Sequence, residues 1–337
     1  MKTLAEVEPR IAINATNTPG DAMAMAVITQ PGSYYLTSDL VTTGSKWGIR
    51  VLASDATIDL NGMSIRRGEG ATGSRGITDD TDIDNAPQVV RIQNGTITGF
   101  SSSNASGVYF SGNSELSVRD VVVTNCESGV NNENGPILAS NVHASGVSST
   151  NGMGLRGIDG STFVECYAKS FGRGFETSYG LVRSCTAYGC GTGIDATRSR
   201  IEGCVVSTTS TGAIGVRAST YSAIVGCIFS VMEVGVRIDS LAVLVEDCTF
   251  SSSSTGIQVL GNDAVIQRNV FKNISTAANN GTCIKTEASA TRATIRDNQG
   301  SNFNFGIVLN AAGSTVTGNR FGNPISSATA IYSFPIG

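Results

Sequence analysis

An all-β solenoid is the fold class this sequence predicts, and three observations predict it. First, a short alternating strand ending on cysteine is written out five times: Phe163-Val164-Glu165-Cys166, Leu181-Val182-Arg183-Ser184-Cys185, Arg200-Ile201-Glu202-Gly203-Cys204, Ala223-Ile224-Val225-Gly226-Cys227 and Val245-Glu246-Asp247-Cys248. These cysteines stand 19, 19, 23 and 21 residues apart. Second, most copies carry a glycine further on that opens another alternating strand: Gly174-Phe175-Glu176-Thr177, Gly193-Ile194-Asp195-Ala196, Gly215-Val216-Arg217-Ala218, Gly235-Val236-Arg237-Ile238 and Gly256-Ile257-Gln258-Val259. Third, helical periodicity is nearly absent, its best stretch being the short run Asp21 to Ile28. A period near twenty built from strands means stacked β coils, each too small to bury its apolar face alone.

The 337 residues would suffice for two ordinary domains, but a solenoid lengthens by adding coils to one continuous core. Forty glycines, seven prolines and one tryptophan suit short strands joined by tight turns. The net charge of −4, with both signs interspersed, offers no surface for nucleic acid or an anionic membrane. No apolar run approaches the ~18 residues that span a bilayer. Acids occupy Met1 to Pro9 where a signal peptide carries its apolar core, so the sequence reads as leaderless or trimmed.

Taken in order, residues 1–28 read as an entry or cap segment, and the β-solenoid as residues 29–337. A strand follows at Gly32 to Leu40, then Trp47 to Leu52 and Ala56 to Ile65. A charged loop insertion is expected at 66–87, before the coil at Val89 to Ile97. Further coils align at Val118 to Val121 and Leu138 to Asn141, ahead of the cysteine series. Beyond Cys248 asparagine takes the cysteine position, at Asn269, Asn298 and Asn319. An amide in a stacked turn can hydrogen-bond along the stack. The total is about twelve coils.

Five cysteines in one repeat position stack at ~4.8 Å and point the same way. A disulfide needs its β-carbons to converge to about 3.8 Å, so these cysteines read as a buried thiol ladder. Cys126 and Cys190 hold equivalent places in their coils, and Cys283 replaces the repeat glycine. The core is expected from Val164, Val182, Ile201 and Ile224, with Phe175, Ile194, Val216, Val236 and Ile257. An open solenoid end exposes a strand edge, which predicts a loop cap or contact with another chain, a homo-oligomer through that end or a flat face included.

In the second strand of each coil the residue after glycine faces inward and the next outward. One outward residue per coil therefore falls in line: Tyr109, Asn131, Arg156, Glu176, Asp195, Arg217, Arg237, Gln258, Lys285, Val308 and Tyr332. A second row adds Glu133, Asp239 and Glu287. Such a face can lie along a sugar polymer, with guanidinium forks gripping carboxylates and acids binding a cation or moving protons. Its bland alternative is a solvated, mutually neutralising set of charges. A separate run, Asp80, Asp82 and Asp84, alternates hard oxygen donors suited to calcium, although it lacks the glycine and glutamate of an EF-hand loop; ion pairing with Arg66, Arg67 and Arg75 explains it as cheaply. His143 is the one histidine, which excludes a paired-histidine site, and no Gly-x-Ser-x-Gly signature is present.

The succession PGSYYLTSDL (residues 31–40) and ATIDLNGMSI (residues 56–65) resembles the start of bacterial right-handed parallel β-helix proteins of the pectate-lyase-like superfamily, and the later coils resemble that family's repeats. The resemblance implies a single-stranded right-handed parallel β-helix and an extracellular or cell-surface location. It is specific for the fold and poor for function, because the superfamily includes lyases, hydrolases, epimerases, adhesins and proteins of no known activity. In the lyases it resembles, the site lies on a sheet face, an arginine or lysine takes the proton beside a uronate carboxylate, and aspartates often hold calcium. By position this gives Arg217 or Arg237 as base and Glu176 with Asp195 as acid or metal pair, with Tyr109, Asn131, Arg156, Gln258 and Lys285 binding substrate. No grouping like those of the related pectin hydrolases is present. The expected function is therefore binding of an extended, acidic polysaccharide, with lyase activity an open question; the alternative is a non-catalytic structural or adhesive solenoid that docks another protein.

Overall fold

The structure, a computed structural model, describes residues 10–79, 89–208, 210, 212–275, 281–322 and, as backbone, 329–333. These residues form parallel strands with no helix among them, wound into a β-solenoid of about thirteen turns. The chain divides into two compact units, residues 1–172 and 173–337.

Each coil of the second unit contributes three strands, where the sequence pattern had shown two. One sheet stacks Leu181–Arg183, Arg200–Glu202, Ala223–Val225, Leu244–Glu246, Val265–Gln267, Thr294–Arg296 and Thr315–Thr317 in unbroken parallel register. A second stacks Thr186–Tyr188 on Val205–Ser207 and continues through the first halves of Ile228–Ile238 and Thr249–Val259. The third carries the glycine motif, from Thr192–Thr197 through Ile214–Ser219 to Thr329–Ser333. The first unit repeats the plan: Ala24–Ile28 pairs with Trp47–Val51, Gly32–Leu36 with Ala56–Asp59, and Leu40–Thr42 with Ser64–Arg67.

Three local expectations change. The stretch Asp21 to Ile28 holds the strand Ala24–Ile28, because pairing with the next coil outweighs a weak helical run. Residues 1–28 thus contain two paired strands, Ile11–Ile13 being the other. Within 66–87, Arg75–Asp79 is a strand in register with Trp47–Val51 and Ser106–Phe110. At Thr162–Val164 the inward residue is Phe163, with Val164 half-buried, since Phe163 pairs with the buried Ala139.

The glycine column is explained by backbone approach. A Cβ on Gly193 would stand 2.6 Å from the carbonyl oxygen of Gly215; on Gly215, 2.4 Å from that of Gly235; on Gly235, 2.5 Å from that of Gly256. Gly48 and Gly76 of the first unit meet their successors in the same way, each at 2.4 Å.

All eight cysteines are free and buried, the five of the ladder as expected. The residue before each ladder position bends the chain with a positive φ: Glu165, Ser184, Gly203, Gly226, Asp247, Arg268, Asp297 and Gly318. Cysteine and asparagine then do the same work. The Cys204 and Cys248 thiols donate to the carbonyls of Val182 and Ile224 on the preceding coil, as the Asn269 and Asn298 amides do to Val245 and Ile266. The asparagines also bond to each other, Asn269 Nδ2 to Asn298 Oδ1 at 3.0 Å and Asn298 Nδ2 to Asn319 Oδ1 at 2.9 Å. Burial pushes the Cys126 thiol up to about 12 and raises Cys283 further, which keeps both protonated. Inside the second sheet Phe229, Phe250 and Phe271 stack with centroids 4.9 Å apart at each step.

Candidate functional site

In the second unit the outward line predicted from sequence is continuous: Glu176 pairs in register with Asp195, Asp195 with Arg217, Arg217 with Arg237, Arg237 with Gln258, Gln258 with Lys285 and Lys285 with Val308. Val308 is buried, and Tyr332 continues the register with its side chain outside the described residues. The charges along this line are cross-linked. Arg173, which the sequence reading passed over, reaches Glu176 at 3.1 Å and Asp195 at 3.4 Å. Asp239 bridges two arginines through their Nε atoms, Arg217 at 2.6 Å and Arg237 at 2.7 Å. Glu287 accepts from Lys285 and from Gln258, both at 2.8 Å.

The two signs lie at different depths. Side chains of Arg173, Arg217, Arg237 and Lys285 are 36–43% exposed, whereas Glu176, Asp195, Asp239 and Glu287 are 16–26% exposed. The acids form a lower layer that fixes the cations, and the cations face solvent. Asp239 engages Arg237 through Nε, and among the described residues no hydrogen bond from the Nη atoms of Arg237 is found. Beside the line, Glu233, Val234, Ser254, Thr255, Gln258, Thr282 and Lys285 border a depression of about 410 Å³.

Burial is the largest influence on Asp195 and, with help from Glu176 and Asp239, raises its pKa above the ordinary 3.8 against the opposing pull of Arg217 and Arg173. With the folded value above the unfolded one, the native state takes up a proton there between 3.8 and the raised value. The contribution of Asp195 to stability therefore falls as pH rises through that window. Arg217→Gln removes the strongest opposing charge, so the carboxyl of Asp195, followed by carbon NMR, should titrate higher still. A midpoint that stays put or drops would show that Arg217 does not act on it. Arg217 itself is driven further above its usual range by its bond to Asp239.

In the first unit Tyr109, Asn131 and Arg156 are also in register. Asn131 is buried between the other two. Around them the fold gathers residues that the spacing did not single out as a site. The Arg75 guanidinium lies 3.8 Å from the Tyr109 ring centroid and bonds to the carbonyl of Asn104. Glu133 approaches Arg156 at 3.7 Å. Burial, then the bond to Glu133, pushes the Tyr109 phenol up to about 12. Asp79 is fully buried and accepts N–H groups of Ser111 and Gly112 at 3.0 Å, yet burial still raises its pKa. Alternation finds strand faces but not which rotamers converge, so only Glu133 of these additions carried a sequence signal.

Asp80, Asp82 and Asp84 lie outside the described residues. Among the described residues no group of three or more His, Cys, Asp or Glu side chains is placed to hold a metal ion. His143 is exposed beside the Tyr167 ring, at 5.8 Å between centroids.

Residues 181–331 match the family model described as periplasmic copper-binding protein (NosD). Among the described residues its copper finds no fitting set: the cysteines are buried, Cys204 and Cys248 in hydrogen bonds to backbone carbonyls, and the single imidazole stands apart. No curated protein sequence matches the chain. Among solved structures, the A-module of the mannuronan C-5 epimerase AlgE6 of Azotobacter vinelandii is similar over 91% of this chain and 92% of that one, at 14% identity and a TM-score of 0.52. The surface adhesin PfbA of Streptococcus pneumoniae is similar over 90% and 84%, at 13% identity and 0.46. An alginate lyase from a Paenibacillus species is similar over 88% and 98%, at 14% identity and 0.35. The likeness is one of fold, and the chain is a right-handed parallel β-helix.

Proposed function

We propose that this right-handed parallel β-helix binds an extended acidic polysaccharide along the glycine-motif sheet of its second unit. The observation that carries the reading is the two-layer charge arrangement. Arg173, Arg217, Arg237 and Lys285 stand outermost, held by acids that lie deeper. Cations fixed in advance lose less side-chain entropy on meeting a carboxylate than free ones do. A guanidinium whose Nη atoms donate no hydrogen bond among the described residues, as in Arg237, can meet a uronate carboxylate bidentately. One residue per coil at ~4.8 Å gives a row of contacts on the length scale of a sugar residue. Such a polymer is met outside the cytoplasm, and no helix among the described residues is long and apolar enough to cross a membrane.

The reading is binding rather than lysis. A base must give up its proton, and the Asp239 bond makes Arg217 hold its own more tightly. Calcium at the aspartate run remains part of the proposal only as an additive to be varied.

Retention on immobilised polygalacturonate and polymannuronate, with a neutral glucan as control and calcium or chelator added, tests this directly. Binding to a uronate polymer should weaken as salt rises. The double variant Arg217→Gln, Arg237→Gln should weaken it roughly tenfold or more, as expected for losing two charge-assisted contacts. Equal retention of the neutral glucan, or full retention by the double variant, would sink the reading. If no polymer is retained, the docking solenoid stands instead, which the exposed Tyr188, Val205, Ile228 and Val231 favour.

A further inference from the structure

The corner between the glycine-motif sheet and the Leu181–Arg183 sheet turns on one residue per coil. In successive coils that residue is Tyr179, Arg198, Tyr221, Ala242, Asp263, Arg292 and Gly313, and every one has a positive φ between 49° and 65°. The bend demands the left-handed conformation, which glycine and aspartate adopt cheaply and a bulky side chain does not. Tyrosine nevertheless occupies it twice. Both rings are exposed, Tyr179 at 56% and Tyr221 at 63%, the two highest values among the large apolar side chains of the described residues. A strained, exposed aromatic calls for a reason outside the packing of the core.

Arg198 fills the coil between them. Its guanidinium lies 5.2 Å from the Tyr179 ring centroid and bonds to the Tyr179 hydroxyl. Below this outer row the corner is pinned by buried serines: Ser199 Oγ accepts the Gly180 N–H at 3.0 Å, and Ser222 Oγ accepts the Ser199 N–H at 3.2 Å. The rings project from a backbone held coil by coil, with the corner N–H groups from Tyr179 to Arg292 bonded to the next coil, as Tyr179 N is to Thr197 O at 2.9 Å.

We infer that Tyr179, Arg198 and Tyr221 form a stacking subsite for the pyranose rings of a uronic acid chain. The inference rests on the polysaccharide reading above and names the part of the ligand that the charged line leaves unheld. The apolar face of a pyranose suits an aromatic plane, and tyrosine adds a polar tip that can bond to a ring hydroxyl. The tyrosines stand two coils apart, roughly 10 Å at the strand spacing, so they match alternate sugars of a chain running along the coils. Arg198 between them is placed for the carboxylate of the intervening sugar. Asp195 and Arg217 of the charged line lie only three and four residues before Arg198 and Tyr221, on the same two coils. The corner thus forms the edge of the binding face.

Calorimetric titration of the full chain with oligogalacturonate and oligomannuronate tests this, using Tyr179→Asn, Tyr221→Asn, Tyr221→Phe and Arg198→Gln. Asparagine accepts a left-handed φ, so these variants should unfold at the wild-type midpoint or above it. Each Tyr→Asn change should weaken binding roughly five- to tenfold without altering its salt dependence, Tyr221→Phe should retain most of the affinity, and Arg198→Gln should reduce the salt dependence. Wild-type affinity in both asparagine variants would overturn the stacking corner while leaving the charged face as the binding site. Wild-type protein that binds neither oligomer would overturn the corner and the polysaccharide reading together.

Discussion

Alanine at Gly235 should destabilise the fold by about 3 kcal/mol, the upper part of the range for overpacking. The added Cβ would meet the Gly256 carbonyl oxygen at 2.5 Å and the Phe250 ring carbons at 2.5 and 2.7 Å. Neither obstacle yields easily. The carbonyl belongs to the next strand of a parallel sheet, and the ring is clamped between two others. Gly322→Ala is the matched control, with nothing within 4 Å of its Cβ, and should change stability by no more than about 0.5 kcal/mol. Urea unfolding of both variants decides the matter. Equal midpoints would mean that the coils slide apart without cost, and the glycine column would lose its explanation.

Phe250→Ala should cost about 4 kcal/mol. Removing a fully buried phenylalanine forfeits its transfer energy and leaves a cavity, together worth 3–5 kcal/mol in well-packed cores. This ring also stacks on both sides, with interplanar angles of 14° and 11°, so two aromatic contacts vanish at once. Phe250→Leu fills most of the space and should recover more than half of the loss. A loss below about 2 kcal/mol for the alanine variant would show that the neighbouring coils collapse into the gap. Because coils contact mainly their neighbours, hydrogen exchange should speed up most from Phe229 to Phe271 and little at Asn298.

What the sequence disclosed and what it concealed divide along physical lines. Cys185, Cys204, Cys227 and Cys248 are legible because the stacked position is filled by cysteine, and later by asparagine, at a repeating spacing. The glycines are legible for the stronger reason that a backbone oxygen sits where their Cβ would be. The third strand of each coil was concealed although Phe229, Phe250 and Phe271 lie two residues beyond Cys227, Cys248 and Asn269. Its outward residues mix isoleucine, serine, threonine, valine and lysine, so alternation is weak there. The phase slip between Phe163 and Val164 came from two apolar neighbours that alternation alone cannot rank. For the charged line, register placed Asp195, Arg217 and Arg237 one above another correctly. It could not show that Asp239 ties both arginines or that Arg173 spans Glu176 and Asp195, since those depend on where long side chains turn. Nor does any periodicity mark Tyr179 and Tyr221, whose corner is occupied by tyrosine, arginine, alanine, aspartate and glycine in different coils.

The asparagine series has a direction. The backbone N–H of Cys248 is capped by Asn269, that of Asn269 by Asn298, and that of Asn298 by Asn319, always by the side chain that follows in the chain. A coil is thus incomplete until its successor arrives. During synthesis, where the chain emerges from its amino end, each of these newly laid coils exposes, beside its open strand edges, one turn amide that only the next side chain can satisfy. The growing end stays adhesive toward a single newcomer of the right register, and the sealed coils behind it do not. Folding in this part of the molecule can then proceed like a zip fastener drawn one way, each tooth closed by the one after it.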